Sequence, residues 1–168
     1  MATKTQAKGN KTLVIVESPA KSKTIGKILG SDYIIQASMG HVRDLAKKAH
    51  DGLGFDIENN FQPAFEVIPE KKKVITELNK IAKTVDRIYL ASDPDREGEA
   101  IAWHVRECLK FPQDKIFRIV FNEITPNAIK EAVANYHQID MLKVEAQKTR
   151  QILDKLVGFK ISPILWEK

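Results

Sequence analysis

Short apolar runs alternate along this chain with segments whose apolar residues recur every three or four positions. Thr12-Leu13-Val14-Ile15-Val16 is continuous and β-branched, as a central parallel strand is when both faces are covered. Ser18 and Pro19 make an N-cap and first-turn pair, and Ile25, Ile28 and Leu29 then give a helix one buried stripe, closed by Gly30. Tyr33-Ile34-Ile35-Gln36-Ala37-Ser38 returns as a strand. Phe65-Glu66-Val67-Ile68 is short enough for an edge strand, and Pro69 and Glu70 open a helix faced by Val74, Leu78, Ile81 and Ala82. Arg87-Ile88-Tyr89-Leu90-Ala91 is a second buried strand, followed by a helix from Glu99 to Lys110 that carries Ala100, Ile101, Val105 and Leu109. Ile116-Phe117-Arg118-Ile119-Val120-Phe121 is a further strand, and Thr125 with Pro126 starts a helix that reaches Asn135. Such alternation predicts an α/β fold.

The pattern changes at two places. Residues 46–64 show little periodicity and carry Gly52, Gly54, Asn59, Asn60 and Pro63, which predicts a long surface loop. Around Tyr136 to Ile139 the strand-helix alternation stops. One long amphipathic helix is predicted from Asp140 to Gly158, with Leu142, Ala146, Ile152, Leu153 and Leu156 along it and Lys143, Lys148, Arg150, Asp154 and Lys155 on its other faces. Apolar residues are still arriving at Trp166, so the chain reads as a piece of a longer protein.

Composition narrows the class. With 168 residues, 43% hydrophobic and 29% charged, the chain has the make-up of one globular domain and the start of another. A net charge of +5 favours a polyanionic partner. Cys108 is the only cysteine, which excludes an internal disulfide and a cysteine-based zinc site and fits a reducing cytoplasm. No apolar run approaches the length of a membrane span, so no membrane association is expected. The polar, lysine-bearing residues 1–11 lack the apolar core of a secretory signal and read as a disordered tail.

The candidate chemistry centres on Asp93-Pro94-Asp95-Arg96-Glu97-Gly98-Glu99, at the predicted strand-to-helix junction where α/β sheets bind ligands. Pro94 keeps Asp93 out of the helical region, so Asp93, Asp95 and Glu97 are expected to alternate along extended backbone with period two. Acids on one edge repel unless a cation shares them, and hard oxygen ligands with few protein donors suit Mg²⁺. A single acid there would serve only to start a helix, as Asp95 would at an N-cap, but four in seven residues exceed that need. Glu17 and Lys21 lie at another strand-to-helix junction, where either alone would pass as a solvated first-turn charge. Gly40-His41-Val42-Arg43-Asp44-Leu45 sets two donors in a turn where phosphate or a base could meet them, the plainer alternative being a loop held by its own Arg43–Asp44 pair. Lys71, Lys72 and Lys73 read as a solvated basic face, and His104 with Cys108 as a packed histidine and a structural thiol.

Four of these stretches fall in a familiar order: Val16 to Ser22, Gly40 to Leu45, Asp93 to Glu99, and Phe121-Asn122-Glu123-Ile124-Thr125. In residues and sequence the chain resembles the bacterial type IA DNA topoisomerases, from Leu13 to its end, with Arg150 through Gly158 and Ser162-Pro163-Ile164-Leu165-Trp166 resembling that family's next segment. The resemblance implies a toprim domain over residues 12–135, an α/β fold with a mostly parallel central sheet flanked by helices. Residues 136–168 would begin an adjoining helical domain. It implies that Glu17 carries a proton and ligates metal, that Lys21 steadies the scissile phosphate, and that Asp93, Asp95 and Glu97 hold Mg²⁺. It further implies that His41 and Arg43 line a single-strand DNA path, and that Arg150 and Asp154 approach the cleavage site from the neighbouring domain. Where many members have a second arginine this chain has Gln151, so Arg150 and Lys155 are the expected DNA contacts there. The family's nucleophilic tyrosine has no counterpart among Tyr33, Tyr89 and Tyr136, so this chain alone is expected to be inactive. The expected function is the acid and metal half of an ATP-independent site that cuts and rejoins single-stranded DNA, completed by the remaining topoisomerase domains. The expected setting is the bacterial cytoplasm, at the nucleoid. A stand-alone toprim nuclease or primase, and a non-catalytic basic nucleic-acid-binding module, are the alternatives. The motifs do not separate members of the topoisomerase family from one another.

Overall fold

Val14 pairs in parallel with Ile35 on one side and with Tyr89 on the other, which makes β1 (Thr12–Val16) an interior strand of the main sheet. The computed structural model describes residues 11–161, with side chains through Phe159. Most of the expected tail and the Ser162 to Trp166 segment therefore lie outside the described residues. Element order is β1, α1 (Pro19–Leu29), β2 (Tyr33–Ala37), β3 (Arg43–Leu45), β4 (Phe55–Asp56), β5 (Gln62–Pro63), β6 (Phe65–Val67), α2 (Lys72–Ala82), β7 (Arg87–Ala91), α3 (Arg96–Cys108), β8 (Ile116–Arg118), α4 (Pro126–Ala134) and α5 (Met141–Leu156). The main sheet has the order β2-β1-β7-β8, and every pair in it is parallel. The α/β class and the parallel central sheet flanked by helices are as the sequence led one to expect.

Strand alternation divides the core into two layers. Leu13, Ile15, Ile88 and Leu90 pack with Leu78, Ala102, Val105 and Val144 from α2, α3 and α5. Val14, Val16, Tyr89 and Ala91 pack with Ile25 and Ile129 from α1 and α4. Successive strand residues thus bury opposite faces, which is why β1 reads as an unbroken apolar run. Among the described residues no helix is long and apolar enough to cross a membrane.

The topology also creates a crevice. From β1 the chain crosses through α1 to β2 at one edge, whereas from β7 it crosses through α3 to β8 at the other. Strand order reverses between β1 and β7, and their C-terminal ends diverge into a gap of the kind that holds ligands in open α/β sheets. Glu17 leaves β1 at that gap, and Asp93 follows β7.

Three expectations are corrected. Residues 43–45 do not form a free turn: Arg43, Asp44 and Leu45 make β3, antiparallel to β6, with Leu45 opposite Phe65. Residues 46–64 are not merely a surface loop. They contain the β4–β5 pair, and Phe55 is fully buried with Leu45 and Leu53 against Phe65, Ile152 and Leu156. Single apolar residues on strands of two or three residues and on the turn between them start this small core, and such pieces are too short to show a period. Finally, β8 ends at Arg118 and not at Phe121. The Ile119 N–H still donates to the Leu90 carbonyl, but β7 itself stops at Ala91 and leaves nothing beyond to pair with.

Candidate active site

Ser18 has extended backbone (φ −132°, ψ 151°), and its Oγ accepts the Lys21 N–H, so α1 begins at Pro19 as the cap residue dictates. The first turn of α1 then carries Lys21 back over the gap between β1 and β7. Its ammonium donates to Glu17 Oε1 and, at 2.6 Å, to Asp93 Oδ1. One cation therefore joins the acid that follows β1 to the acid that follows β7. The hydrogen bond from Lys21 holds the Asp93 carboxyl below its usual range. Burial alone would lower the Lys21 pKa, but its bonds to Asp93 and Glu17 outweigh that and raise it.

The acid turn departs from the expected period-two geometry at its third member. Asp95 is extended (φ −92°, ψ 175°), and its Oδ1 accepts the Gly98 N–H at 2.7 Å, which starts α3 at Arg96. Glu97 consequently belongs to a helical first turn, where the macrodipole favours acids. There its Oε1 lies 3.4 Å from His41 Nε2. The helix-start role and the clustering of acids are thus both present in one turn. Glu17, His41, Asp93, Asp95 and Glu97 line a single cleft of about 320 Å³, together with Gly40 and Ile101.

The donor chemistry of this cleft fits Mg²⁺: four carboxylates, no thiolate, and Asp93 and Glu97 open to solvent. Its geometry is open. Among the described residues no three acidic, histidine or cysteine side chains converge closely enough to enclose an ion. The Lys21 ammonium occupies the position between Glu17 and Asp93.

The remaining predicted residues fall around the cleft. Arg150 and Asp154, 3.7 Å apart on α5, line an adjoining recess of about 490 Å³ that shares Asp95 and Glu97 with the first. Lys155 lies in a further recess with Asp44, Lys47 and Gln151. Arg43 does not pair with Asp44. Its guanidinium stacks 5.3 Å from the Phe65 ring and 5.4 Å from Trp103, while Asp44 Oδ1 accepts from Gln151 Nε2 at 2.7 Å. His104 is buried, as a packed histidine should be, with ring centroids 4.6 Å from Phe65 and 4.7 Å from Trp103. Burial drives its pKa down to about 3, helped by the positive charge of Arg43.

Two charged residues are buried beneath the site, where the sequence pattern counts Glu99 with the clustered acids and Arg118 within a strand. Arg118 is fully buried on β8 and Glu99 is buried on α3, and they pair at 2.9 Å. The available signal was an arginine inside the apolar run 116–121. Arg118 Nη2 donates to the Asp93 carbonyl at 2.7 Å, which brings it directly beneath the acid turn.

Residues 12–124 match the toprim domain family. The fold and sequence are also similar to full-length topoisomerase I from Thermotoga maritima, with 50% identity, 93% of this chain covered and a TM-score of 0.82. The matched region is 26% of that protein's chain, so the present chain spans about a quarter of its length.

Proposed function

Because the chain belongs to the toprim domain family, we propose that it supplies the acid half of a type IA DNA topoisomerase site that cleaves and rejoins single-stranded DNA. The observation that carries this reading is the meeting of Glu17, Lys21 and Asp93 at the switch point between β1 and β7. Paired acids beside a lysine suit a phosphodiester: the lysine meets the phosphate as a point charge, and a carboxylate takes or returns a proton. In this reading Lys21 turns from Glu17 and Asp93 to the scissile phosphate when DNA enters. Glu17, freed of that bond, moves the proton of the sugar 3′ oxygen. Asp93 and Asp95, with Glu17 and Glu97, would hold Mg²⁺, which when bound neutralises phosphate charge.

His41 and Arg150 flank the acids in the two adjoining recesses and would contact the DNA backbone, with Asp154 orienting Arg150. Lys155 extends that basic edge, and Arg43 contributes the face of its stacked guanidinium. The nucleophilic tyrosine belongs to domains outside this chain. Residues 12–135 form the toprim unit, and residues 136–168 begin the adjoining helical domain. The bacterial cytoplasm, where nucleoid DNA lies, is the setting this reading implies.

The test is relaxation of supercoiled plasmid by the full-length protein. Lys21→Ala and Asp93→Asn are each expected to slow relaxation by about a hundredfold or more, as loss of a charge-stabilising group does. Parent-like rates in both variants would remove the acid half of the site from the reaction.

A further inference from the structure

Arg118 heads the fully buried side chains by size among the described residues, and its guanidinium ties together α3, the end of β7 and the residue that follows β8. Its Nε donates to Glu99 Oε2 at 2.9 Å on α3. Nη1 donates to the Leu90 carbonyl at 3.1 Å and the Ile119 carbonyl at 2.6 Å, and Nη2 to the Asp93 carbonyl at 2.7 Å. Glu99 is equally committed. Its second oxygen, Oε1, accepts the Asp140 N–H at 2.8 Å. Asp140 is the N-cap of α5, and its Oδ1 accepts the N–H groups of Leu142 and Lys143. Lys143 Nζ returns to the Pro94 carbonyl at 3.3 Å. A closed circuit of hydrogen bonds thus runs from Asp93 through Arg118, Glu99 and Asp140 into α5, and back to the acid turn at Pro94.

We propose that Arg118 and Glu99 are positioning residues that lock the acid turn at Asp93 to the start of α5, so that the carboxylates and Arg150 keep a fixed separation. The proposal rests on the reading of the cleft given above and deepens it. A buried ion pair contributes little net stability, because desolvating two charges offsets their attraction, and an apolar pair of the same volume often does as well. What it does provide is direction. A guanidinium is a planar fork with donors at fixed angles, and here four of them meet acceptors on β7, on the residues just past β7 and β8, and on α3. Lysine, whose three donors share one nitrogen, cannot span those acceptors together. Glu99 divides its two oxygens between Arg118 and Asp140, so movement at either end is felt at the other. Both recesses that contain Asp95 and Glu97 lie above this circuit, and the second is walled by α5.

The test is NMR on this chain without metal, reading the exchange rate of the Asp140 amide proton and the carbonyl carbon shift of Asp93. Arg118→Lys does not touch Asp140, yet it should speed exchange there by about tenfold or more. Glu99→Gln does not touch Asp93, yet it should displace the Asp93 carbonyl resonance. Ile129→Val thins the opposite layer of the core and should leave both signals in place. Parent-like Asp140 exchange in Arg118→Lys would overturn the proposal, as would equal movement of both signals in Ile129→Val. Should Arg118→Lys fail to fold, Glu99→Gln decides alone, and an unmoved Asp93 resonance overturns the proposal. Because both readings are taken without Mg²⁺, they stand or fall separately from the metal site, which Mg²⁺ titration of the parent chain tests.

Discussion

Gly98 lies against the backbone of Asp93 so closely that a Cβ on it would be 2.1 Å from the Asp93 carbonyl oxygen. The obstruction is backbone and cannot rotate away. The same glycine donates its N–H to Asp95, and its carbonyl accepts the Ser92 hydroxyl at 2.5 Å, so the helix start is folded back onto the end of β7. Gly98→Ala is therefore expected to open the acid turn and cost about 1–3 kcal/mol, the range for overpacking. Urea unfolding would measure the loss, and an unchanged midpoint would contradict the close approach.

The buried neutral imidazole of His104 makes stability depend on pH in a definite direction. Its pKa falls from the ordinary 6.5 to about 3 in the folded chain. Between those values the unfolded state binds a proton that the folded state refuses, so stability drops as pH falls through that window. The slope from this one group approaches about 1.4 kcal/mol per pH unit. His104→Phe keeps an aromatic ring beside Phe65 and Trp103 and removes the proton. Chemical denaturation from pH 7 to pH 4 should show a shallower decline for that variant, and parallel curves would refute the assignment.

Much of this architecture is legible in the sequence, for reasons that individual residues make plain. Leu13 and Ile15 face one layer and Val14 and Val16 the other, so a doubly covered strand announces itself as a run. Ser18-Pro19 and Thr125-Pro126 begin helices where capping chemistry says they must, and α5 starts within one residue of the expected Asp140, which is its N-cap. Reading Glu97 as extended failed because two local rules compete at that point. Pro94 does precede an extended Asp95, but Asp95's own side chain then nucleates the helix one residue later. Phe55 was missed because its partners Leu45 and Leu53 lie on separate short pieces. The burial and pairing of Glu99, counted in the sequence among the clustered acids, and of Arg118 are not legible there for a different reason. A charged residue in a linear pattern reads as solvent-facing, and only tertiary contact brings those two together.

If Glu17 and Asp93 take Mg²⁺ as proposed, Lys21 competes with it for their oxygens in the chain alone. Mg²⁺ is expected to bind weakly, since it must displace an ammonium held by Glu17 and Asp93. Lys21→Met should tighten Mg²⁺ binding, read as amide shifts at residues 17, 93, 95 and 97. It should also raise the Asp93 pKa, because the lysine hydrogen bond is what lowers it. The stability that this depressed carboxyl contributes is present above its unfolded value of 3.8 and is lost as pH falls through the folded value. In Lys21→Met that acid-side loss should vanish. Weaker Mg²⁺ binding in the variant would mean that the lysine helps the site and does not occupy it.

Single-stranded DNA should bind modestly and weaken with salt, log K falling by about 0.7 per phosphate contact against log salt. His41, Lys21, Arg150 and Lys155 are the proposed phosphate contacts, and neutralising Lys21, Arg150 or Lys155 should each flatten the slope by about one contact. Arg43 is different because its guanidinium lies on Phe65 and Trp103. Arg43→Lys keeps the charge but loses the stacked plane, and is expected to weaken binding with little change in slope. Fluorescence anisotropy across a salt series would separate the two behaviours, and a salt-independent affinity would refute the basic contacts altogether.

The chain alone is expected neither to cleave DNA nor to attach to it, even with Mg²⁺. Transesterification needs an oxygen nucleophile held in line roughly 3 Å from phosphorus. All three tyrosines gather instead toward the start of the parallel strands, whereas the acids follow the strand ends. Tyr33 opens β2. Tyr89 is 3% exposed, and its hydroxyl accepts from Arg87 Nη1 at 3.0 Å, pointing toward the beginning of β7. Tyr136 stacks 5.7 Å from Tyr89, beneath the same Arg87. At about 3.3 Å per residue a strand of this length separates Arg87 from the acid turn by well over 10 Å. No side-chain rotation closes that gap, and Tyr89 would also have to leave the core. A water held by the carboxylates is the remaining nucleophile, and it predicts a different product. Incubating the chain with plasmid and labelled single strands in Mg²⁺, then denaturing, distinguishes the outcomes. A covalent adduct lost in Tyr33→Phe, Tyr89→Phe or Tyr136→Phe would overturn the geometric argument. Nicking without an adduct, abolished by Asp93→Asn, would make the chain a hydrolase. The expected result is intact DNA, with no adduct and no nick in the parent or in any variant.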